Sequence, residues 1–350
     1  MNSARVIIHV TESYGGGVAS AIDSYVDSAV DFEHHLVASF RERDFQDSGE
    51  LNRFSSVAQV SRSIFGFRRG LRAAIKRIRP DWLHVHSSFA GVYTRILPLT
   101  REVRIAYTPH CYAFERLDIS PFARKTYRLI EKALSVRTDL VLGCSVREVQ
   151  LAKTLNGSMS AVLLPNRATL STNSATMKVG NSERPAREQR TVVALGRLAP
   201  QKDPAFFAEF VVQLRKSVDT RAVWIGGGDE TERRRLEDAG IIVTGWLPRS
   251  VASQRLAEAD LYVHTARWEG FPLAVLEAND LDVPIVSRGL PYLGDIASEV
   301  RGDSPKMLAT SAERVLASEG EACRNRETWR RFLADNTAAE QRRVLEEAFG

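Results

Sequence analysis

The chain has little cysteine. Only Cys111, Cys144 and Cys323 occur in 350 residues, an odd number without a C-x-x-C pair, which excludes a disulfide framework and a cysteine-ligated zinc ribbon and points to a reducing, cytoplasmic setting. Long apolar runs are missing as well. None approaches the ~18 residues that a membrane-crossing helix requires, and no charged-then-apolar leader precedes the first strand-like run, so the expectation is a protein not integral to a membrane. Neither sign of charge is in large excess. Lys and Arg number 48 against 43 Asp and Glu, a formal charge of +5, which suits an anionic small ligand or an anionic membrane face and does not call for nucleic acid. An apolar fraction of 44% excludes a disordered chain and can fill two ordinary cores.

Strand-like apolar runs alternate with helical patterns. They fall at 5–11, 35–40, 82–87, 104–110, 139–145 and 161–165 in the first half, spaced as βαβ units require. From 167 to 190 the composition turns to Ser, Thr, Asn, Lys and Arg, which reads as a linker. Alternation resumes at 191–198, 222–225, 241–246, 261–264 and 284–287. The fold class is therefore α/β, with two Rossmann-like doubly wound domains facing a central cleft. The expected layout is an N-terminal domain at 1–170, a linker at 171–190, a second domain at 191–323 and a closing helix at 324–350.

The stretch His264–Asp280 carries the most chemistry. Pro272 sits where a helix can begin, leaving the amides of Phe271, Leu273 and Ala274 at an anion-attracting helix start. Gly270 permits close approach of a ligand, and Glu269 and Glu277 bracket the turn with acceptors for hydroxyls. Eight helical residues rise about 12 Å, beyond the roughly 5–9.5 Å between the carboxyls of a glycoside hydrolase, so the two glutamates do not form a hydrolytic acid/base pair. Such a turn suits a nucleotide sugar. Its residues E-G-F-P-L-A-V-L-E-A resemble the E-x7-E signature of family 4 glycosyltransferases, enzymes of the two-domain GT-B fold. The resemblance implies that Glu269 meets sugar hydroxyls, that Glu277 meets the ribose, that the anomeric configuration is retained, and that the closing helix returns to the N-terminal domain.

Gly196-Arg197-Leu198, followed by Gln201-Lys202, ends the first strand of the second domain. Arg197 can fork onto two phosphate oxygens while Lys202 adds a compact charge, a pair suited to a diphosphate leaving group; a solvated basic turn is the plain alternative. The spacing resembles the family's G-R-x-x-x-x-K element. By the same resemblance the glycine turn at Gly227 lines the nucleotide pocket and Trp246 can flank the base; a plain turn and a buried aromatic are the alternatives. In the first domain, Gly16 and Gly17 follow the first strand and can bring amides against a phosphate or sugar. That loop is one residue short of G-x-G-x-x-G, with Ser20 in the last place and Glu42 as a possible ribose acid. A dinucleotide-binding dehydrogenase and a simple tight turn therefore stay beside the family's donor and acceptor loop.

His84 and His86 share a strand face at a spacing a metal can use, but no third ligand follows at convincing spacing. His110 ends the next strand, either as a satisfied strand-end histidine or, by resemblance, in contact with the donor sugar near the reacting carbon. Asp280-Leu281-Asp282 spells D-x-D, yet it falls at the far end of the Pro272 helix, so the expectation is no metal and no other cofactor. A basic run at 61–80, with Arg68, Arg69 and Arg72 beside Phe67 and Leu71, fits either a helix on anionic lipid or one packed on the sheet. Three features depart from the family pattern: Arg167 after Asn166, Leu281 before Val283-Pro284, and the loop after Leu290. The reading is a metal-independent, retaining hexosyltransferase that uses a UDP- or GDP-sugar and a glycan or lipid-linked acceptor at the inner face of the membrane. A nucleotide-sugar epimerase and a non-catalytic binding protein are the alternatives.

Overall fold

Short Val-, Ile- and Leu-rich runs that can be buried on both sides pair most readily as parallel strands covered by helices. The computed structural model describes residues 5–40, 51–100, 102–169, 189–294 and 296–350; Glu42 and the linker residues 171–188 lie outside them. Two compact units result, Met1–Arg167 with Asn336–Gly350, and Ala168–Asp335.

The first unit contains β1 (Val6–Thr11), β2 (Glu33–Ala38), β3 (Ser56–Gln59), β4 (Trp82–His86), β5 (Arg104–Thr108), β6 (Leu140–Gly143) and β7 (Ala161–Leu163), in the order β3-β2-β1-β4-β5-β6-β7. Ile8, Val10, Leu83 and Val85 are wholly buried on one face, under α2 (Ile64–Ile78), α3 (Ser88–Arg95) and α5 (Val146–Leu155). The other face carries α1 (Gly16–Ser28) and the last helix, α12 (Ala338–Phe349). The second unit repeats the plan with β8 (Arg190–Leu195), β9 (Thr220–Ile225), β10 (Ile242–Val243), β11 (Leu261–His264), β12 (Ile285–Arg288) and β13 (Arg301–Gly302), in the order β10-β9-β8-β11-β12-β13. Phe207 and Phe210 of α6 (Pro204–Leu214), with α7 (Glu230–Asp238) and α10 (Pro305–Ala317), fill one side. The other side is filled from α8 (Arg249–Ala257), α9 (Leu273–Asp280) and α11 (Glu319–Phe332). In each sheet the winding reverses beside the first strand, between β1 and β4 and between β8 and β11. Doubly wound proteins bind ligands at the carboxyl ends there.

The tail is not one helix over 324–350. α11 stays in the second unit, where the Trp329 indole donates to the carbonyl of Ile285 at 2.8 Å. α12 starts afresh behind Thr337, whose side chain accepts from the Glu340 amide at 3.2 Å. It lies on the first unit, where Gln341 donates to Ser24 and to the Pro165 carbonyl. The break follows from two apolar sets that bury against different sheets, Trp329 and Leu333 in one, Val344, Leu345 and Phe349 in the other, with a capping Thr between them. Consequently the second unit runs past 323 to Asp335, and it begins at Ala168 rather than after the linker. β3 and β13, absent from the sequence reading, are half-buried or very short edge strands without a clear alternation.

The basic run at 61–80 forms α2, whose Phe67, Leu71 and Ala74 are buried in the core while Arg69, Arg72, Lys76 and Arg77 are exposed. A different helix keeps an apolar stripe outside. α4 (Pro121–Leu134) buries only Glu131, leaving Phe122 81% and Leu129 58% exposed, with Val136 just beyond its end at 78%. These positions recur every seven residues and so share one face.

α4 is anchored through charge. Glu131 accepts from Arg95 at 2.8 Å and from the Tyr107 hydroxyl at 2.9 Å, all buried. Removing one partner of such a pair leaves the other charge uncompensated. Glu131→Ala is therefore expected to lower unfolding free energy by ~3–5 kcal/mol in urea titrations. Replacing both, as Arg95→Met with Glu131→Leu, is expected to cost clearly less than the single change.

Candidate functional site

In the second unit the site is built from loops that touch backbone to backbone. β8 runs out at Leu195, and the Gly196 amide donates to Ile225 O at 2.9 Å, the Leu198 amide to Gly227 O at 2.9 Å and the Asp229 amide to Leu198 O at 3.0 Å. Gly226 and Gly228 have φ of +136° and +157°, and a Cβ on them would fall 2.2 Å from Gly196 O and 2.4 Å from Leu198 O. These two glycines are thus required by the neighbouring strand end. Gly227 is required by Trp246, since its Cβ would stand 2.9 Å from the indole. That indole is 57% exposed and lies over the turn.

Gly196 has a second role. A Cβ there would fall 2.9 Å from Lys202 Cε, so the lysine stem crosses the bare glycine and brings its ammonium onto the Glu269 carboxylate. The surrounding backbone is stitched to match. Gln201 Nε2 donates to Trp268 O at 3.1 Å, Thr265 Oγ1 to Lys202 O at 2.6 Å and the Arg267 amide to Gln201 O at 2.8 Å. Two motifs distant in sequence are one surface. Arg197, exposed, sits on the same strand-end turn.

α9 begins at Leu273 with Pro272 as its N-cap, one residue later than read from sequence. Gly270 and Pro272 are buried, and the Phe271 ring meets Tyr292 edge-on at 6.1 Å. Glu277 lies in the second turn and pairs with Arg249 at 3.2 Å; Arg249 also donates to Thr169. Burial raises the Glu277 carboxyl above its ordinary value, and the Arg249 guanidinium opposes that rise. Beneath them His264 bridges Tyr262 at 3.1 Å and Tyr292 at 2.6 Å, and burial holds it well below the usual histidine range. The D-x-D residue Asp282 is taken by Arg330 and Arg326 of α11, at the opposite end of α9. A cavity of about 680 Å³ lined by Thr191, Val193, Val223 and Leu247 lies elsewhere in this unit and includes none of Arg197, Lys202, Glu269 or Glu277. Charge and backbone geometry mark the site. Two cations, two carboxylates, a helix start and an exposed indole can together hold a phosphate-bearing ligand with hydroxyls and a ring.

In the first unit Gly16, at φ +55°, and Gly17 open α1 at the end of β1 and are exposed. The Glu12 carboxylate ties that loop to the end of β4, accepting from the Ser87 hydroxyl and the Ala90 amide. His110 and Cys111 have φ of +48° and +80°, consecutive left-handed residues without a glycine, a conformation that persists only where surroundings impose it. Glu148 imposes it. Its carboxylate accepts from the amides of Cys111 at 2.5 Å and Cys144 at 2.9 Å. The sequence reading missed Glu148, although Ser145-Val146-Arg147-Glu148 has the S-x-x-E spacing of a capping box; the Ser145 hydroxyl does accept from the Glu148 amide, while the carboxylate turns to Cys144 and Cys111.

Two further histidines were also missed. The parallel register sets His9 opposite His84, so β1 supplies the third imidazole that spacing along the chain did not. Ring nitrogens of His9, His84 and His86 lie within 4.8 Å of one another. His34 of β2 contacts His9 at 3.0 Å, and His86 contacts His110 at 3.1 Å.

A family model described as "Glycosyl transferase 4-like domain" matches residues 16–167, and one described as "Glycosyl transferases group 1" matches residues 189–318. An uncharacterized 41.2 kDa protein in the cps region of Klebsiella pneumoniae is 23% identical over 301 residues, 84% of this chain and 83% of that one. The UDP-Gal:alpha-D-GlcNAc-diphosphoundecaprenol alpha-1,3-galactosyltransferase of Escherichia coli is 26% identical over 238 residues, 61% of this chain and 58% of that one. Among solved structures, Anabaena HepE in complex with UDP-glucose superposes with a TM-score of 0.75 at 15% identity, over 98% of both chains.

Burial holds His9, His34, His84 and His86 below the ordinary histidine value, and His110 at about 4. The unfolded chain binds these protons near pH 6.5 and the folded chain does not, so the stability they confer is full above that pH and falls as pH drops toward the folded values. Each such imidazole removes ~1.4 kcal/mol per pH unit inside its window. They outnumber the two buried carboxyls shifted the opposite way, Glu148 and Glu277. Urea midpoints are expected to be clearly lower at pH 5 than at pH 8.

Proposed function

Because the chain belongs to the family 4 glycosyltransferases of the two-domain GT-B class, we propose that its second unit binds a nucleoside-diphosphate sugar and that transfer proceeds with retention and without a metal ion. The observation that carries this reading is the Lys202–Glu269 contact at the winding reversal of the second sheet. An arriving diphosphate competes with Glu269 for the ammonium. Lys202 and Arg197 then hold the leaving group with the α9 amides, while Glu269 becomes an acceptor for sugar hydroxyls. Glu277, oriented by Arg249, takes the ribose, and Trp246 over Gly227 offers a stacking face for the base. His110 meets a hydroxyl of the transferred sugar. The UDP-glucose complex of HepE and the donor in the name of the Escherichia coli relative support UDP over GDP. The lipid diphosphate in that second name supports a lipid-linked acceptor, in surface polysaccharide assembly.

A lipid-linked acceptor requires the enzyme to reach a bilayer, and among the described residues no helix is long and apolar enough to cross one. The stripe Phe122, Leu129 and Val136 is the docking face in this reading. Its exposed charges on α4 are Lys125, Arg128 and Lys132, all basic, and such a face lies on anionic lipid. α2 adds its cations and one exposed aromatic, Phe65, while Phe67, Leu71 and Ala74 are in the core.

Glu277→Gln is expected to weaken UDP binding roughly tenfold by calorimetry, because a charge-assisted acceptor becomes a neutral one. Glu269→Gln, which removes the competitor for the Lys202 ammonium, is expected to keep or strengthen UDP affinity and to depress the rate of transfer, measured in EDTA, where the wild type stays active. Equal loss of UDP affinity in both, or wild-type activity that vanishes in EDTA and returns with magnesium or manganese, refutes the assignment. For the membrane, Phe122→Ser with Leu129→Ser is expected to abolish sedimentation with phosphatidylglycerol vesicles at low salt, whereas Arg69→Ser with Arg72→Ser reduces it only partly. The reverse ranking returns the docking to α2.

A further inference from the structure

We propose that His34, His9 and His86 form a hydrogen-bonded imidazole chain that fixes His110 as the Nε2–H tautomer, so that the bare Nδ1 of His110 is what a sugar hydroxyl meets. This rests on the reading of His110 as a sugar contact given above.

The direction of the chain follows from its first link. His34 Nε2 lies 2.8 Å from the carbonyl oxygen of Ala29, which can only accept, so His34 carries its proton there. A neutral imidazole then has Nδ1 as an acceptor. That atom lies 3.0 Å from His9 Nε2, which must donate. His9 Nδ1 is therefore bare, and it lies 3.0 Å from His86 Nε2, which donates in turn. The last link repeats the pattern, with His86 Nδ1 3.1 Å from His110 Nε2. Nδ1 of His110 is the one ring nitrogen of the four that the chain leaves over. Burial keeps the four rings neutral, the condition for a single polarity, and each donor strengthens the next.

A dication among His9, His84 and His86 is the rival arrangement, and the unpartnered Nδ1 of buried His84 speaks for it. Two observations speak against it. The 3.0 Å between His9 Nδ1 and His86 Nε2 is a hydrogen-bond distance, shorter than the roughly 3.3 Å between two nitrogens each about 2.05 Å from a tetrahedral zinc. The three-histidine group also contains no carboxylate or thiolate among the described residues, so a dication in this buried place would be uncompensated. The two arrangements predict opposite outcomes at His110. Zinc on His86 Nε2 would put the proton on His86 Nδ1, which would then donate to His110 and leave that ring with Nδ1–H.

His110 thus has two separate constraints. Glu148 sets where its backbone turns, and the imidazole chain sets which nitrogen is protonated. A lone pair at Nδ1 accepts from a hydroxyl and places no positive charge beside a ligand whose diphosphate is held by other residues.

Long-range ¹H–¹⁵N spectra of the ¹⁵N-histidine-labelled full-length protein, with elemental analysis of the same sample, read the tautomers directly. All four rings are expected as Nε2–H forms, without stoichiometric zinc. His9→Leu and His34→Phe each cut the chain; both are expected to leave His110 as a mixture of tautomers and to lower kcat/KM for transfer from UDP-glucose or UDP-galactose, whichever is turned over, by roughly tenfold, with UDP affinity unchanged. Nδ1–H on His110 in the wild type, stoichiometric zinc, or full kcat/KM in the cut variants overturns the proposal. The wild-type spectrum decides even if both variants fail to fold. His110→Phe is measured beside them: wild-type transfer there removes His110 from the sugar site, whereas loss there with full activity in His9→Leu refutes the chain alone.

Discussion

A parallel sheet covered on both faces has only its strand ends left for a ligand, and only where winding reverses do two neighbouring loops part to make room. Both sheets here obey that constraint at β1/β4 and β8/β11, and the chemistry follows it. Gly16 and Gly17 come after β1, and the histidine strand is β4. Arg197 and Lys202 come after β8, and Glu269 after β11. None of these residues is close in sequence to its spatial partner. The sheet order brings them together, and the loop backbone then adds the fine placement, Gly196 by admitting the Lys202 stem and Gly226 and Gly228 by admitting a strand end.

Each buried ionisable group near the sites is held by a different device. Glu148 stays at the bend of His110 and Cys111 through amide hydrogen bonds, Glu131 through a guanidinium and a phenol, and Glu277 through Arg249. His9, His34, His84 and His86 have no charged partner among the described residues; beyond the Ala29 carbonyl on His34 and the Thr108 hydroxyl on His84, imidazoles serve one another as donors and acceptors. Neutral rings are what burial enforces there. The same neutrality that makes the histidine strand a stable core layer makes it sensitive to acid, so rigidity at His110 and acid resistance pull in opposite directions.

The fold class and the charged turn of the second unit were legible because each was written within a short stretch. A run of Val and Ile names a buried strand, G-R-x-x-x-x-K sits in one turn, and E-G-F-P-L-A-V-L-E sits across one strand end and helix. What depends on pairing between strands was not legible. His9 and His34 are single residues in ordinary strands, and only the register that sets His9 opposite His84 makes them a cluster. Glu148 was half legible: its S-x-x-E spacing could be read, but its reach to Cys111 depends on β5 and β6 being neighbours. The tail misled for the same reason. Its apolar positions fit one amphipathic helix, and nothing local says that Trp329 and Phe349 belong to different sheets.

Amphipathic patterns raise a related difficulty, since apolar spacing on a helix does not say whether core or lipid is the partner. α2 and α4 both carry basic residues and an apolar stripe. What separates them is the rest of each helix. α2 has one apolar face, and most of it is needed to cover β2 and β3, so its cations remain outside with Phe65. α4 is anchored instead through a buried ion pair and the phenol of Tyr107. An anchor made of one carboxylate occupies little of the helix surface, and it frees Phe122 and Leu129 to stay exposed without loosening the core. The buried Arg95–Glu131 pair is weak support for stability in itself, and its role here is better described as permitting an apolar face to point outward.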